Sequence, residues 1–243
     1  MEKIALVTGA NSGIGYGTAK VLREQGNKVI ITGRRKEAIE KAAKELDAIP
    51  LVADQSNVAD IEQLAINVAA KFGKLDILVI NAGVLGSSPI DQMTEELYDK
   101  IMDVNTKGAF FTLSKFIPAL KDGASVVFVS SIVAHMTYAG SSIYSASKAA
   151  LNSMMKTAAL ELAPRGIRVN AVSPGPTQTQ VFENAGYDAQ TVAQLKDYTL
   201  NAVPLKKHGT PENVGRMIAH LSSPAAEFIT GSEVVMDGGM LLV

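Results

Sequence analysis

Short apolar runs alternate with longer amphipathic stretches along almost all of this chain, and that alternation most limits what it can fold into. The apolar runs fall at 4–8, 28–32, 49–53, 77–80, 125–130, 168–172 and 233–236. Most are continuously apolar, as expected of strands buried on both faces. Helical periodicity fills the intervals at about 14–25, 35–47, 57–72, 95–121, 143–163 and 211–222. Such a succession builds a parallel sheet with helices on both sides. No Pro-, Gly- or Ser-rich linker divides the 243 residues. The expectation is a single α/β, doubly wound, Rossmann-type domain over residues 1–243, with a seven-stranded, mostly parallel sheet.

Composition removes several functions. Hydrophobic residues make up 47%, enough for a sizeable core, and the formal charge of −1 leaves no footprint for nucleic acid or an anionic membrane. The absence of cysteine excludes disulfides and thiolate metal sites. His135, His208 and His220 are scattered without ligand spacing, so no metal site is expected. No targeting segment or twenty-residue apolar run is evident, which makes a cytoplasmic protein without membrane contact the expectation.

The first strand-to-helix turn carries chemistry. It reads Thr8-Gly9-Ala10-Asn11-Ser12-Gly13-Ile14-Gly15. Glycines let the backbone amides of such a turn approach a pyrophosphate at a helix N-terminus. Alone they also cap ordinary turns; after the first strand of an alternating sheet they mark a dinucleotide cradle, with Gly9, Asn11, Ser12, Gly13, Ile14 and Gly15 its candidate residues. About 20 residues on, such folds place an acid for the ribose of NAD or an arginine for the 2′-phosphate of NADP. Here the second strand ends in Gly33-Arg34-Arg35-Lys36, with no acid. A solvated basic helix start is the plainer reading, but cations at a helix N-terminus oppose its dipole. Arg34 and Arg35 therefore suggest NADP(H), with NAD(H) second. Asp54 and Gln55 end the third strand and either reach the adenine or open a loop. Asn81, Ala82 and Gly83 end the fourth, where small residues allow a cofactor to come close.

The fifth strand runs into Ser130-Ser131, then a loop, then a helix whose first turns carry Tyr144 and Lys148. Residues four apart share a helix face. The ammonium can then stand by the phenol and lower its pKa, making Tyr144 a general acid/base. Ser131 leaves the carboxyl end of a strand, where ligands of open parallel sheets bind, and its hydroxyl can hold a carbonyl against Tyr144. The plainer alternative is a surface i,i+4 pair.

Taken together, Thr8-Gly9-x-x-x-Gly13-x-Gly15, Asn81-Ala82-Gly83, Asn105, Ser131, Tyr144-x-x-x-Lys148 and Pro174-Gly175 resemble the short-chain dehydrogenase/reductase family in order and spacing over almost the whole chain. Ile80 is a small departure, since many members have a second asparagine there. The resemblance implies Tyr144 as catalytic acid/base and Lys148 as the residue that lowers its pKa and binds the nicotinamide ribose. It implies that Ser131 holds the substrate oxygen and that Asn105 anchors a water in a proton relay. Pro174, Gly175, Thr177 and Thr179 fall at positions near the nicotinamide. The basic residue at Arg34 agrees with NADP(H), although Ser12 stands where a second basic determinant is common.

The resemblance also implies a substrate-closing segment at about 178–204, and a pocket for a small carbonyl or alcohol that includes Val133, His135, Tyr138, Val181 and Phe182. Small residues on the two long helices imply a homotetramer. The expected activity is interconversion of a ketone and a secondary alcohol. A 3-oxoacyl-[acyl-carrier-protein] reductase is the alternative; Arg165 suits an acidic carrier, but Lys121 beside Asp122 does not. A nucleotide-sensing regulator on the same fold is the non-enzymatic alternative.

Overall fold

The computed structural model describes residues 2–243. Seven strands form one sheet: β1 (Ile4–Val7), β2 (Lys28–Gly33), β3 (Ile49–Val52), β4 (Leu75–Ile80), β5 (Leu120–Val129), β6 (Arg168–Pro174) and β7 (Glu233–Met236). Their order is β3-β2-β1-β4-β5-β6-β7, and every pairing is parallel. The chain winds outward from β1 to β3, then returns to β4 and winds the other way. The order therefore reverses between β1 and β4, the place where such sheets bind ligands. Pro50 lacks a donor and is tolerated because β3 is an edge strand.

Nine helices connect the strands among the described residues: α1 (Gly13–Glu24), α2 (Lys36–Leu46), α3 (Val58–Phe72), α4 (Glu95–Met102), α5 (Ala109–Phe116), α6 (Ser142–Leu162), α7 (Val181–Asn184), α8 (Ala189–Ala202) and α9 (Pro211–Leu221). The sheet buries a core on each face. Leu78, Phe116, Phe128 and Met155 belong to one; Val79, Leu22, Ile39 and Ile218 belong to the other. Neighbouring strand residues such as Leu78 and Val79 go to opposite cores, which is why the strands read as unbroken apolar runs.

Two expected boundaries move. The helix anticipated over 95–121 is interrupted by a wide π turn at Asp103–Gly108 and ends in a short 3-10 turn at Ile117–Ala119. A π turn in a helix inserts a residue and redirects side chains. Here it aims Asn105 at the chain after β4. Strand β5 begins at Leu120, paired with Leu75, and passes through a register shift before the apolar run begins at Ser125. The exposed Lys121-Asp122-Gly123 hides that start in the sequence. No described helix is long and apolar enough to cross a membrane.

Candidate active site

The carboxyl ends of β1 to β5 open into a cleft of about 420 Å³. Its floor is the turn between β1 and α1. Gly9 has φ of 63°, and a Cβ there would lie 2.7 Å from the Cα of Ala82, so only glycine lets the turn settle against the tip of β4. Thr8 and Asn81 stitch the two together. The Thr8 hydroxyl accepts from the amides of Asn81 and Ala82 at 3.0 and 3.1 Å. Asn81 Nδ2 donates to the carbonyls of Thr8 and Gly9 at 2.8 and 3.0 Å. Asn81 is thus a scaffold for the cradle, and Gly15 packs beneath it, against its amide.

Gly9, Asn11, Ser12, Gly13 and Ile14 line this cleft. So do Arg34, Arg35, Asp54, Gln55, Asn81, Ala82 and Gly83, with Tyr144, Lys148 and Thr179 at the far end. The backbone of Gln55 borders the cleft while its amide points away, donating to the Gly108 carbonyl at 3.0 Å and to the Thr112 hydroxyl. Asp54 folds its carboxylate onto the Ser56 amide and hydroxyl, at 2.9 and 2.8 Å, opening the loop before α3. Pro174, Gly175 and Thr177 lie outside the lining, with Gly175 tied to Met236 on β7.

Helix α6 brings Tyr144 and Lys148 to one end of the cleft. Lys148 is almost wholly buried; its Nζ donates to the Val129 carbonyl at 3.0 Å and stands 5.9 Å from the centre of the Tyr144 ring. Burial lowers the Lys148 ammonium to about 8. Burial pushes the Tyr144 phenol up to about 12, the nearby Tyr138 phenol adds to the rise, and a hydrogen bond with Ser131 pulls the other way. The expected lowering of the Tyr144 pKa by Lys148 is therefore not present here. Desolvation of the buried phenolate is the largest of these influences. Ser131 starts the short turn Ile132–Ala134 with its hydroxyl toward the Val133 amide at 3.4 Å. Its neighbour Ser130 turns to the Lys148 carbonyl at 3.1 Å, as the alternation of a strand requires.

Asn105 is fully buried and fully used. Its Oδ1 accepts from the Val84 amide at 2.8 Å, and Nδ2 donates to the Val84 carbonyl at 3.0 Å and the Ser147 hydroxyl at 3.1 Å. Ser147 donates in turn to the Tyr144 carbonyl at 2.7 Å. The π turn is thereby joined through two side chains to the backbone of the tyrosine.

Among the residues expected to meet substrate, Val181 lines the cleft with its α7 neighbours Asn184 and Ala185. Val133 packs in the core, Phe182 packs edge-on against Tyr187 at 6.2 Å, and Tyr138 stays half-exposed. His135 faces away, pairing with Glu233 on β7 at 2.7 Å, and Ser173 donates to the same carboxylate. The segment with α7 and α8 is rooted by the bridge between Thr177 and Gly209 and by buried Val203. A pair between Lys196 and Glu183 at 2.8 Å holds its two helices together. Sequence reasoning passed over Lys100 and Val104, which border the cleft from α4 and the π turn. Their i,i+4 spacing was the available signal. No cluster of metal-binding side chains occurs among the described residues.

This arrangement, a phosphate cradle running into a tyrosine–lysine pair at the switch point of a parallel sheet, defines a dinucleotide-dependent oxidoreductase. A family model described as enoyl-(acyl carrier protein) reductase matches residues 9–241. The 3-oxoacyl-[acyl-carrier-protein] reductase FabG of Thermotoga maritima is 36% identical over 99% of this chain and 98% of its own. The FabG of Staphylococcus epidermidis is 35% identical over the full length of both. A short-chain dehydrogenase from Burkholderia cenocepacia, solved in complex with NADP, superposes with a TM-score of 0.90 at 31% identity over 98% of this chain and 97% of that one. The chain belongs to the short-chain dehydrogenase/reductase family. It is an oxidoreductase.

Proposed function

We propose that the protein reduces a ketone to a secondary alcohol with NADPH, with Tyr144 as proton donor. The observation that carries this reading is geometric: Tyr144 and the buried Lys148, its Nζ 5.9 Å from the centre of the phenol ring, line the same cleft as the glycine turn. That pairing supplies a proton donor with a cation beside it to receive the phenolate. Arg34 and Arg35 support NADP(H), as does the Burkholderia neighbour crystallised with NADP. The chain also meets a test of fit, since the Gly9 turn leaves no room for a side chain and two arginines without carboxylate partners border the cleft.

The glycine turn would hold the pyrophosphate, and Arg34 and Arg35 the 2′-phosphate. The bound nicotinamide supplies the hydride. Ser131 orients the carbonyl oxygen, and the Tyr144 hydroxyl gives it a proton. The phenolate left behind is stabilised by Lys148, whose Nζ is fixed by the Val129 carbonyl. Asn105 acts as a positioning residue through Val84 and Ser147. The segment at 178–204 excludes water from this end of the cleft.

A second reading, 3-oxoacyl-[acyl-carrier-protein] reduction, is favoured by the two FabG relatives. The basic residue expected to meet a carrier does not support it. Arg165 is engaged by Asp122 and by the carbonyls of Ile117 and Leu120, and it precedes β6, at the opposite end of the sheet from the cleft. A small ketone remains the first choice. Oxidation of NADPH and NADH, followed with simple ketones, diketones, sugars and a 3-oxoacyl thioester, separates the readings. Faster loss of NADPH with small ketones supports the first, and turnover confined to the thioester moves the protein to the second. Binding without turnover of any substrate would leave the regulator.

A further inference from the structure

We propose that Lys100 is a third element of 2′-phosphate recognition, closing on the adenosine end of the cofactor from α4, opposite Arg34 and Arg35. The inference rests on the NADP(H) reading. Lys100 borders the same cleft as the two arginines. Its place follows from the packing of its helix. Val104, one turn further on, borders the cleft too, and Gly108, next along, receives the hydrogen bond from Gln55 at the tip of β3. The tip of β2, with Arg34 and Arg35, is the neighbour of β3 in the sheet. Lys100 and the two arginines thus border one cavity, from α4 and from the tip of β2.

The charge pattern sets Lys100 apart from its neighbours. Lys36 pairs with Glu40 at 3.9 Å, and Lys107 with Asp103 at 3.0 Å. Lys100 has a carboxylate at the same helical distance, Glu96, and does not pair with it. Glu96 is held instead by its own backbone amide and the Thr94 hydroxyl at the start of α4, which lower its pKa. Asp103 is taken by Lys107. Among the described residues, Arg34, Arg35 and Lys100 all lack a carboxylate partner, and all three border this cleft. A phosphomonoester of about −1.5 to −2 charge suits three cations better than two, and a flexible ammonium reaches its outer oxygens without needing a fixed geometry.

The test is equilibrium binding by calorimetry, with NADPH, NADH, adenosine 2′-monophosphate and adenosine 5′-monophosphate, on wild type, Lys100→Ala and Lys100→Arg. Lys100 is exposed, so folding is not at risk, and a thermal melt checks it. Lys100→Ala should weaken NADPH and the 2′-monophosphate about five- to tenfold, leave NADH and the 5′-monophosphate within about twofold, and be rescued by Lys100→Arg. Equal losses for NADPH and NADH would assign Lys100 to the adenine or pyrophosphate and overturn the proposal, as would no loss at all. A wild type that binds NADH as tightly as NADPH overturns the coenzyme reading, and this inference with it. An NADPH-preferring wild type whose preference survives Lys100→Ala overturns the inference alone.

Discussion

A charged lysine is buried at the centre of this site, and that has a consequence for stability. Lys148 sits at about 8 when folded, against an ordinary value of 10.5. Below pH 8 it is charged in both folded and unfolded chains, and its burial opposes folding. Between about 8 and 10.5 the folded chain holds fewer protons than the unfolded one, so this penalty is relieved as pH rises. Lys148→Met should therefore abolish turnover yet stabilise the fold by about 1–3 kcal/mol at pH 7, with the gain shrinking toward pH 10 in denaturant titrations. Activity runs the other way. Reduction needs the ammonium, so kcat/KM for the ketone should hold at neutral pH and fall as pH passes about 8, before the phenol near 12 titrates. A steady-state pH profile with NADPH at saturation checks this.

The element that most repays perturbation is the π turn between α4 and α5. It places Asn105 between the chain after β4 and helix α6, and it brings Gly108 against β3. A Cβ on Gly108 would meet the Gln55 carbonyl at 2.1 Å, backbone that cannot yield cheaply. Gly108→Ala should cost about 2–4 kcal/mol in urea denaturation and also weaken NADPH binding, because the tip of β3 must move. This turn was only half legible in the sequence. Apolar periodicity continues through 95–121, and the wider winding is set by contacts with Gln55, Val84 and Ser147, far along the chain. Asn105, an indifferent helix former, was the one local sign. The pairing of His135 with Glu233 joins residues 98 apart and left no local trace. By contrast, the strands were readable because burial on both faces writes itself as unbroken apolar runs, and the cradle because Gly9 has no substitute where β1 meets Ala82.

At the scale of the whole molecule, apolar side chains remain uncovered on a single chain. Leu160 on α6 is 77% exposed, on the helix that also carries the exposed small residues Ala146, Ala149 and Ser153, and Phe110 on α5 is 50% exposed. The C-terminal Leu242 and Val243 are exposed as well. Patches of this kind mark contact surfaces, and the homotetramer proposed from the family resemblance would cover them. Sedimentation equilibrium should give a species of four times the 25.6 kDa chain mass, and Leu160→Glu with Phe110→Glu should reduce it to smaller species with the fold retained. A wild-type monomer would contradict the proposed homotetramer. The residues proposed to read cofactor and proton were visible in the sequence as motifs, whereas the lining at the substrate end was not. Val181 reaches the cleft and His135 does not, and only the packing of distant segments decides that.

In the proposed reaction Tyr144 delivers the proton. The direct measurement is single-turnover oxidation of bound NADPH by the best ketone of the panel, in wild type and Tyr144→Phe, with NADPH affinity measured alongside. The rate should fall at least about 10²-fold with cofactor affinity changed by less than about threefold, since only the hydroxyl is removed. A Tyr144→Phe variant that turns over at the wild-type rate would contradict it and return the reaction, if there is one, to another group in the cleft.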